Sequence, residues 1–277
     1  MEIGVFLFST AYNMRLDELG KDLEARGYES LFQPEHTHIP LSRETPWPGG
    51  GDLPKEYAHT YDPFVSLSFA AASTTRLKVG TGICLVTQRD PIATAKAVAS
   101  LDAMSNGRFL FGIGAGWNVD EMRNHGTVHK TRFKLMRERI LAMKALWTEE
   151  AGEFHGEFVD FDPAWSYPKP VQQPHPPIIL GGETDYTLAR VAEYCDGWFP
   201  RGGAFEPARD MARLRAAAEK AGRDPESISV SVFRAPADKQ QLEEFSQAGV
   251  TRAVLELPPA DRDGILRQLD TYQPLLD

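Results

Sequence analysis

Four short stretches of this chain carry residue types at spacings that chemistry uses. Glu35-His36-Thr37-His38 sets two imidazoles at alternate positions beside a carboxylate. Alternate side chains of an extended segment share a face. The pair therefore reads either as two metal ligands or as an acid–base residue, His36, with His38 at the hinge of the loop that follows. Gly112-Ile113-Gly114-Ala115-Gly116-Trp117 has glycine at every second position, which thins a strand end so that a flat ring can lie against it. Trp117 either stacks on such a ring or caps the mouth above it. Gly181-Gly182-Glu183-Thr184 runs into a helical pattern, either as a tight turn or as a phosphate cradle ahead of free helix N–H groups. Cys84 has no base nearby in sequence and reads as a small buried hydrophobe.

These stretches all fall at the ends of apolar runs. Strands are expected at Ile3–Phe8, Ser30–Gln33, Leu77–Thr81, Arg108–Gly112, Pro177–Leu180, Gly197–Phe199, Ile228–Phe233 and Arg252–Leu257. Helical patterns follow each one: Leu16–Arg26, Pro63–Ser73, Pro91–Met104, Val119–Trp147 with a break, Thr184–Tyr194, Pro207–Ala221, Asp238–Gln247 and Arg262–Leu269. Pro63 and Pro91 open helices, while Gly27, Gly107, Gly222 and Gly249 close them. Phe133, Met136, Ile140, Met143 and Trp147 form one apolar helical stripe, expected to pack on the outside of a sheet. Eight βα units predict an α/β fold, a (β/α)8 TIM barrel, with its active site at the carboxyl ends of the strands.

Two insertions interrupt the alternation, one after strand 2 and one after strand 4. Residues 40–62, rich in Pro and Gly, are expected to form a lid, and residues 150–176 a hairpin with a proline-rich return. The chain reads as a single domain over residues 1–277.

Bulk properties set the limits. The 277 residues are 42% hydrophobic and 25% charged with a net charge of −9, which disfavours nucleic acid as a partner. No apolar run approaches the roughly 20 residues that span a bilayer, and Met1–Phe8 lacks the basic start of a signal peptide. Two distant cysteines, Cys84 and Cys195, fit a reducing cytoplasm. A metal site is not expected, because strands 4 to 6 offer Gly, Trp and Phe where further ligands would stand. The other histidines fall in helices or insertions. The expected partners are a small-molecule substrate and a second copy of the chain in a homodimer.

Thr87-Gln88-Arg89-Asp90-Pro91, Ala95-Lys96, Leu101-Asp102, Ser105-Asn106-Gly107-Arg108 and Gly112 to Trp117 together resemble the central block of the luciferase-like monooxygenases. The branch they most resemble is the actinobacterial one assigned to the deazaflavin coenzyme F420. Lys169-Pro170, Pro176-Pro177-Ile178, Gly181-Gly182 and Asp196-Gly197-Trp198 have the same family's look, so the resemblance covers residues 3 to 200. It implies a flavin-type ring in the barrel mouth, F420 first and FMN as the alternative. The ring would lie against Gly82, Ile83, Gly114, Gly116 and Trp117, on a bulged cis peptide at Gly82-Ile83. The phosphate would sit at Gly181, Gly182 and Thr184, and His36 would face the reactive side of the ring.

The resemblance implies hydride transfer between F420 and a small organic substrate. Its alternatives are oxygenation by reduced FMN and, from another class, a non-catalytic flavin-binding barrel. Two departures stand out. Deazaflavin-dependent dehydrogenases of the family carry an acid where this chain has Trp117, and Glu121 is not expected to replace it. Glu183 beside a phosphate would repel it unless turned to solvent.

Overall fold

A computed structural model describes residues 1–276. In chain order the elements are β1 (Glu2–Phe6), α1 (Leu16–Arg26), β2 (Ser30–Gln33), α2 (Glu56–His59), α3 (Pro63–Ala72), β3 (Lys78–Thr81) and β4 (Cys84–Leu85). There follow α4 (Pro91–Met104), β5 (Phe109–Gly114), α5 (Val119–Asn124), α6 (Arg132–Thr148), β6 (Gly152–His155), β7 (Asp160–Ala164) and β8 (Ile178–Gly181). The chain finishes with α7 (Asp185–Tyr194), β9 (Gly197–Phe199), α8 (Pro207–Lys220), β10 (Ser229–Phe233), α9 (Lys239–Gln247), β11 (Arg252–Glu256) and α10 (Arg262–Tyr272).

Helix starts follow the local chemistry. Asp62 and Asp90 each stand before a proline at the first helical position, and their carboxylates accept the N–H groups of Val65 and Ala93. Proline lacks the N–H that this turn leaves unused, and the aspartate satisfies one that remains. At the other end of α1, Gly27 takes the left-handed φ of 92° that ends a helix cheaply only without a Cβ.

The strands close in the order β1–β2–β3/β4–β5–β8–β9–β10–β11 and back to β1, every neighbouring pair parallel. β3 and β4 act as one barrel strand alongside β5: Val79 pairs with Phe109 below, Cys84 with Ile113 above. Between them the Gly82–Ile83 peptide is cis. The architecture is the expected eight-stranded parallel barrel.

Alternate strand residues divide between two apolar layers. Val5, Leu31, Phe111, Leu180, Val232 and Leu255 face the helices, while Phe6, Phe32, Leu110, Ile179 and Val254 fill the interior. Glycines make room for the interior rings; a Cβ on Gly80 would lie 2.6 Å from Cε1 of Phe32. At the amino end, Arg252 plugs the barrel by an ion pair with Glu29 and a hydrogen bond to Ser231 Oγ.

Several details differ from the sequence reading. The first strand ends at Phe6, not Phe8. The broken pattern over 119–147 resolves into α5 and α6, and the 40–62 insertion contains α2. β6 and β7 form an antiparallel hairpin within 150–176, with its second arm extending to Ala164. The stripe on α6 packs as expected at Met136, Ile140, Met143 and Trp147, but Phe133 reaches a cavity at the barrel mouth.

Much of the family-like sequence turns out to hold the frame together. Asp102 accepts the N–H groups of Val171 and Gln172, tying down the proline-rich return. Arg108 binds carbonyls of Ala71, Thr74 and Leu77, and Lys169 binds those of Leu146 and Glu149. Asp196 accepts from the N–H of Ile178. No helix among the described residues is long and apolar enough to cross a membrane.

Candidate active site

The carboxyl ends of the strands surround a cavity of about 530 Å³, a size typical of small-molecule sites. His36, Gly82, Ile83, Gly114, Gly116, Trp117, Gly181, Gly182 and Thr184 all line it. Phe8, Phe199 and Phe233 make its apolar floor, continuous with the barrel interior. Trp47, Pro48, Gly49 and Tyr57 of the 40–62 insertion form part of the wall.

His36 is buried, and its Nδ1 lies 2.8 Å from Oε2 of Glu121, a residue 85 positions later on α5. Glu121 is fully buried, and its Oε1 has no partner. Facing a carboxylate, which only accepts hydrogen bonds, Nδ1 of His36 is the donor and Nε2 is the nitrogen with no such commitment. Glu121 was not expected to take part. It enters because Asn118 starts α5 by accepting the N–H groups of Asp120 and Glu121, which aims the following carboxylate across the mouth. The Asn118-x-x-Glu121 spacing was the available signal, but it reads as a capping box.

His36 and His38 do not share a site. His38 Nε2 lies 2.9 Å from the Asn124 amide, and Thr37 Oγ1 sits between His38 and His125. Glu35, the third member of the suspected metal group, is engaged elsewhere: it accepts the Leu85 N–H at 2.7 Å and the Arg89 Nε–H at 2.5 Å. Glu35 thus braces the segment just after Gly82-Ile83. Among the described residues, no three His, Cys, Asp or Glu side chains are grouped to hold a metal ion. Cys84 is buried beside Glu35, and burial first, then that carboxylate, push its thiol well above the ordinary value, the reverse of an activated nucleophile.

The strand-end glycines have a more specific reason than thinning. A Cβ on Gly112 would lie 1.9 Å from the Thr81 carbonyl oxygen, and one on Gly114 would lie 1.8 Å from Cδ1 of Ile83. The missing side chains admit the segment that joins β3 to β4, and Ile83 thereby reaches the cavity. Trp117 stands edge-on to His36 with ring centroids 5.7 Å apart, placing it beside the histidine in the wall.

At the opposite end, Gly181-Gly182 leads into α7, which Thr184 caps by accepting the Thr187 N–H. Trp198 on β9 fixes the turn, its indole donating to the Gly182 carbonyl at 2.6 Å; this gives Asp196-Gly197-Trp198 a role that the motif alone did not disclose. Glu183 forms a two-point pair with Arg201, at 2.8 and 3.1 Å. Its charge is therefore neutralised, and the expected repulsion of a phosphate is removed by a partner 18 residues away. The site combines flat glycine-lined walls, an apolar floor, a capped helix start and one buried histidine–carboxylate pair. These features fit a planar organic cofactor that carries a phosphate.

The closed barrel and its mouth define a (β/α)8 protein with a small-molecule cavity at the carboxyl ends of its strands. The chain belongs to the luciferase-like monooxygenase family, whose model matches residues 1–258. A functionally uncharacterised protein of Mycobacterium tuberculosis is 38% identical over 272 residues, covering 95% of this chain and 94% of its own. The FMNH2-dependent dimethylsulfone monooxygenase of Pseudomonas putida is 34% identical over 161 residues, 56% of this chain and 44% of that protein. The F420-dependent hydroxymycolic acid dehydrogenase of M. tuberculosis is 30% identical over 173 residues, 61% of this chain and 48% of that one. Among solved structures, an F420-dependent secondary alcohol dehydrogenase superposes with a TM-score of 0.77 at 17% identity, covering 100% of this chain and 99% of that one. Members of the family are F420- or FMN-dependent oxidoreductases and monooxygenases.

Proposed function

We propose that the protein is an F420-dependent oxidoreductase of the cytoplasm, moving a hydride between the deazaflavin and a small organic substrate. One observation carries the reading: the His36–Glu121 pair at the cavity wall. When bound, F420 supplies the two-electron hydride chemistry, and the barrel supplies position, exclusion of water and proton handling. An alcohol that yields a hydride must also release its hydroxyl proton, and a carbonyl that gains one must receive it. His36 Nε2 holds or returns that proton, while Glu121 fixes the ring tautomer and balances the imidazolium charge. Gly82, Ile83, Gly114, Gly116 and Trp117 support the ring, and Gly181, Gly182 and Thr184 take the phosphate. The 40–62 segment closes over the mouth as a lid.

Oxygenation with reduced FMN has the Pseudomonas relative in its favour. It too moves protons, so the His36–Glu121 pair serves either chemistry, and cofactor binding separates them. The test is to titrate the purified protein separately with F420 and FMN, following cofactor fluorescence, and then to assay both for turnover. F420 is expected to bind more tightly than FMN by about tenfold or more. Tight FMN binding without F420 binding would overturn the proposal in favour of the monooxygenase.

A further inference from the structure

Around His36 the cavity is walled by aromatic rings from distant parts of the chain. Trp47 and Tyr57 come from the 40–62 insertion and Trp117 follows β5. Tyr57 stands edge-on to both tryptophans, its centroid 6.0 Å from Trp47 and 6.5 Å from Trp117, at 74° and 76°. The His36 ring is 5.3 Å from Tyr57. All three aromatic side chains are only half-buried, so ring surface remains open to a ligand. Trp47 is held by a second residue: a Cβ on Gly49 would lie 2.4 Å from its Cη2. The indole packs directly over a backbone that only glycine leaves bare.

The carboxylates and guanidinium groups of the cavity wall each have an ion-pair partner, with Nε of Arg234 left without a hydrogen bond among the described residues. Glu35 pairs with Arg89, Glu183 with Arg201, and Arg234 with Glu256. A carboxylate or ammonium group entering beside His36 would lose its hydration without meeting an unpaired counter-charge. A flat or alicyclic ring would instead replace water against three aromatic walls, where ring contacts add to the gain from burial.

We propose that this compartment selects an uncharged, ring-bearing substrate, an alicyclic or aromatic secondary alcohol or the ketone it forms, with Trp47 and Tyr57 as its specificity-determining residues. The proposal rests on His36 handling the proton and adds the substrate class for that site. In the oxidation, the carbinol C–H bond breaks and its electron pair leaves with the hydrogen as hydride to oxidised F420. The O–H proton passes to His36, and the carbon–oxygen double bond of the ketone forms. Reduction runs the same transfers backwards.

The test measures binding as well as turnover. Cyclohexanone, hexan-2-one and cyclohexanecarboxylate are titrated into the full-length protein, with and without F420, following tryptophan fluorescence and heat. Cyclohexanone is expected to bind about tenfold more tightly than hexan-2-one, with cyclohexanecarboxylate weaker than both. Trp47→Ala and Gly49→Ala should each erase the preference for the ring while shifting the F420 dissociation constant less than about twofold. Should Trp47→Ala melt early, Gly49→Ala, on an exposed loop, gives the same readout. Equal binding of the two ketones by the unaltered protein, or a preference surviving in both variants, would overturn the inference. A ring preference that the variants erase in a protein that fails to bind F420 would uphold this compartment and sink the cofactor assignment alone.

Discussion

Replacing Glu121 with glutamine keeps the volume of the side chain and removes its charge. In the native site Glu121 is fully buried, and its Oε2 lies 2.8 Å from His36 Nδ1. A carboxylate can only accept, so a neutral His36 facing one keeps its ring hydrogen on Nδ1 and its Nε2 lone pair available. A glutamine amide can present its NH2 to Nδ1 instead, which moves the ring hydrogen to Nε2 and blocks proton acceptance there. The second loss is electrostatic. A charge-assisted hydrogen bond is worth about 1.5–3 kcal/mol and a neutral one about 0.5–1.5 kcal/mol, a difference of about 1–2 kcal/mol. In the proposed mechanism that interaction matters most when His36 carries the substrate's proton, so its loss acts on the transition state. Together the two losses should lower kcat about ten- to a hundredfold, with KM and the F420 dissociation constant nearly unchanged.

The assay is steady-state turnover followed by F420 absorbance, alongside cofactor titration and a thermal melt. His36→Ala should cost about 10²–10⁴-fold in kcat, and combining it with Glu121→Gln should cost little more, because the two act as one unit. A Glu121→Gln enzyme with native kcat would refute the coupling. So would a double variant whose loss equals the product of the two single losses.

Gly182→Asp should weaken F420 binding about tenfold or more. Gly182 has a φ of +126°, a Cβ there would lie 2.9 Å from Thr187 Oγ1, and the new charge would face the phosphate; an unchanged affinity in a folded variant would place the phosphate elsewhere. Limited proteolysis should cut within 40–62, where Leu41 is 98% exposed, and cut more slowly with F420 and substrate bound, whereas equal rates would remove the lid. Acid stability should depend on Glu29. Burial opposes its ionisation, but Arg252, Ser30 and Lys78 outweigh that and hold it at about 2 rather than 4.5. Its stabilising effect is therefore complete above pH 4.5 and is lost as pH falls towards 2. Melting temperatures should drop across that window and drop less in Glu29→Gln; parallel curves for the two proteins would rule Glu29 out as the cause.

The barrel is written in local signals. Asp-Pro pairs start α3 and α4, glycines such as Gly27 end helices, and apolar runs buried on both faces mark the strands. These depend on φ, on missing N–H groups and on periodicity, so they can be read without knowing what packs where. Once eight βα units are counted, the carboxyl ends of the strands must gather at one mouth. For that reason His36, the Gly82-Ile83 segment, the Gly114–Trp117 stretch and the Gly181-Gly182 turn could be assigned to a common cavity from the sequence.

Partnership was beyond that reading. Glu121 reaches His36 across 85 residues, Arg201 neutralises Glu183, and Glu35 turns from its neighbouring histidine to brace Leu85. Trp47 and Tyr57 join Trp117 only because the insertion after β2 folds back over the mouth. Each pairing is set by barrel closure and by side-chain direction at the strand ends, and neither leaves a trace in spacing along the chain. The sequence determines which segments gather at the barrel mouth. Tertiary structure decides which charges are cancelled and which proton acceptor is left free, because hydrogen bonds and ion pairs act over a few ångströms of space whatever the number of residues between them.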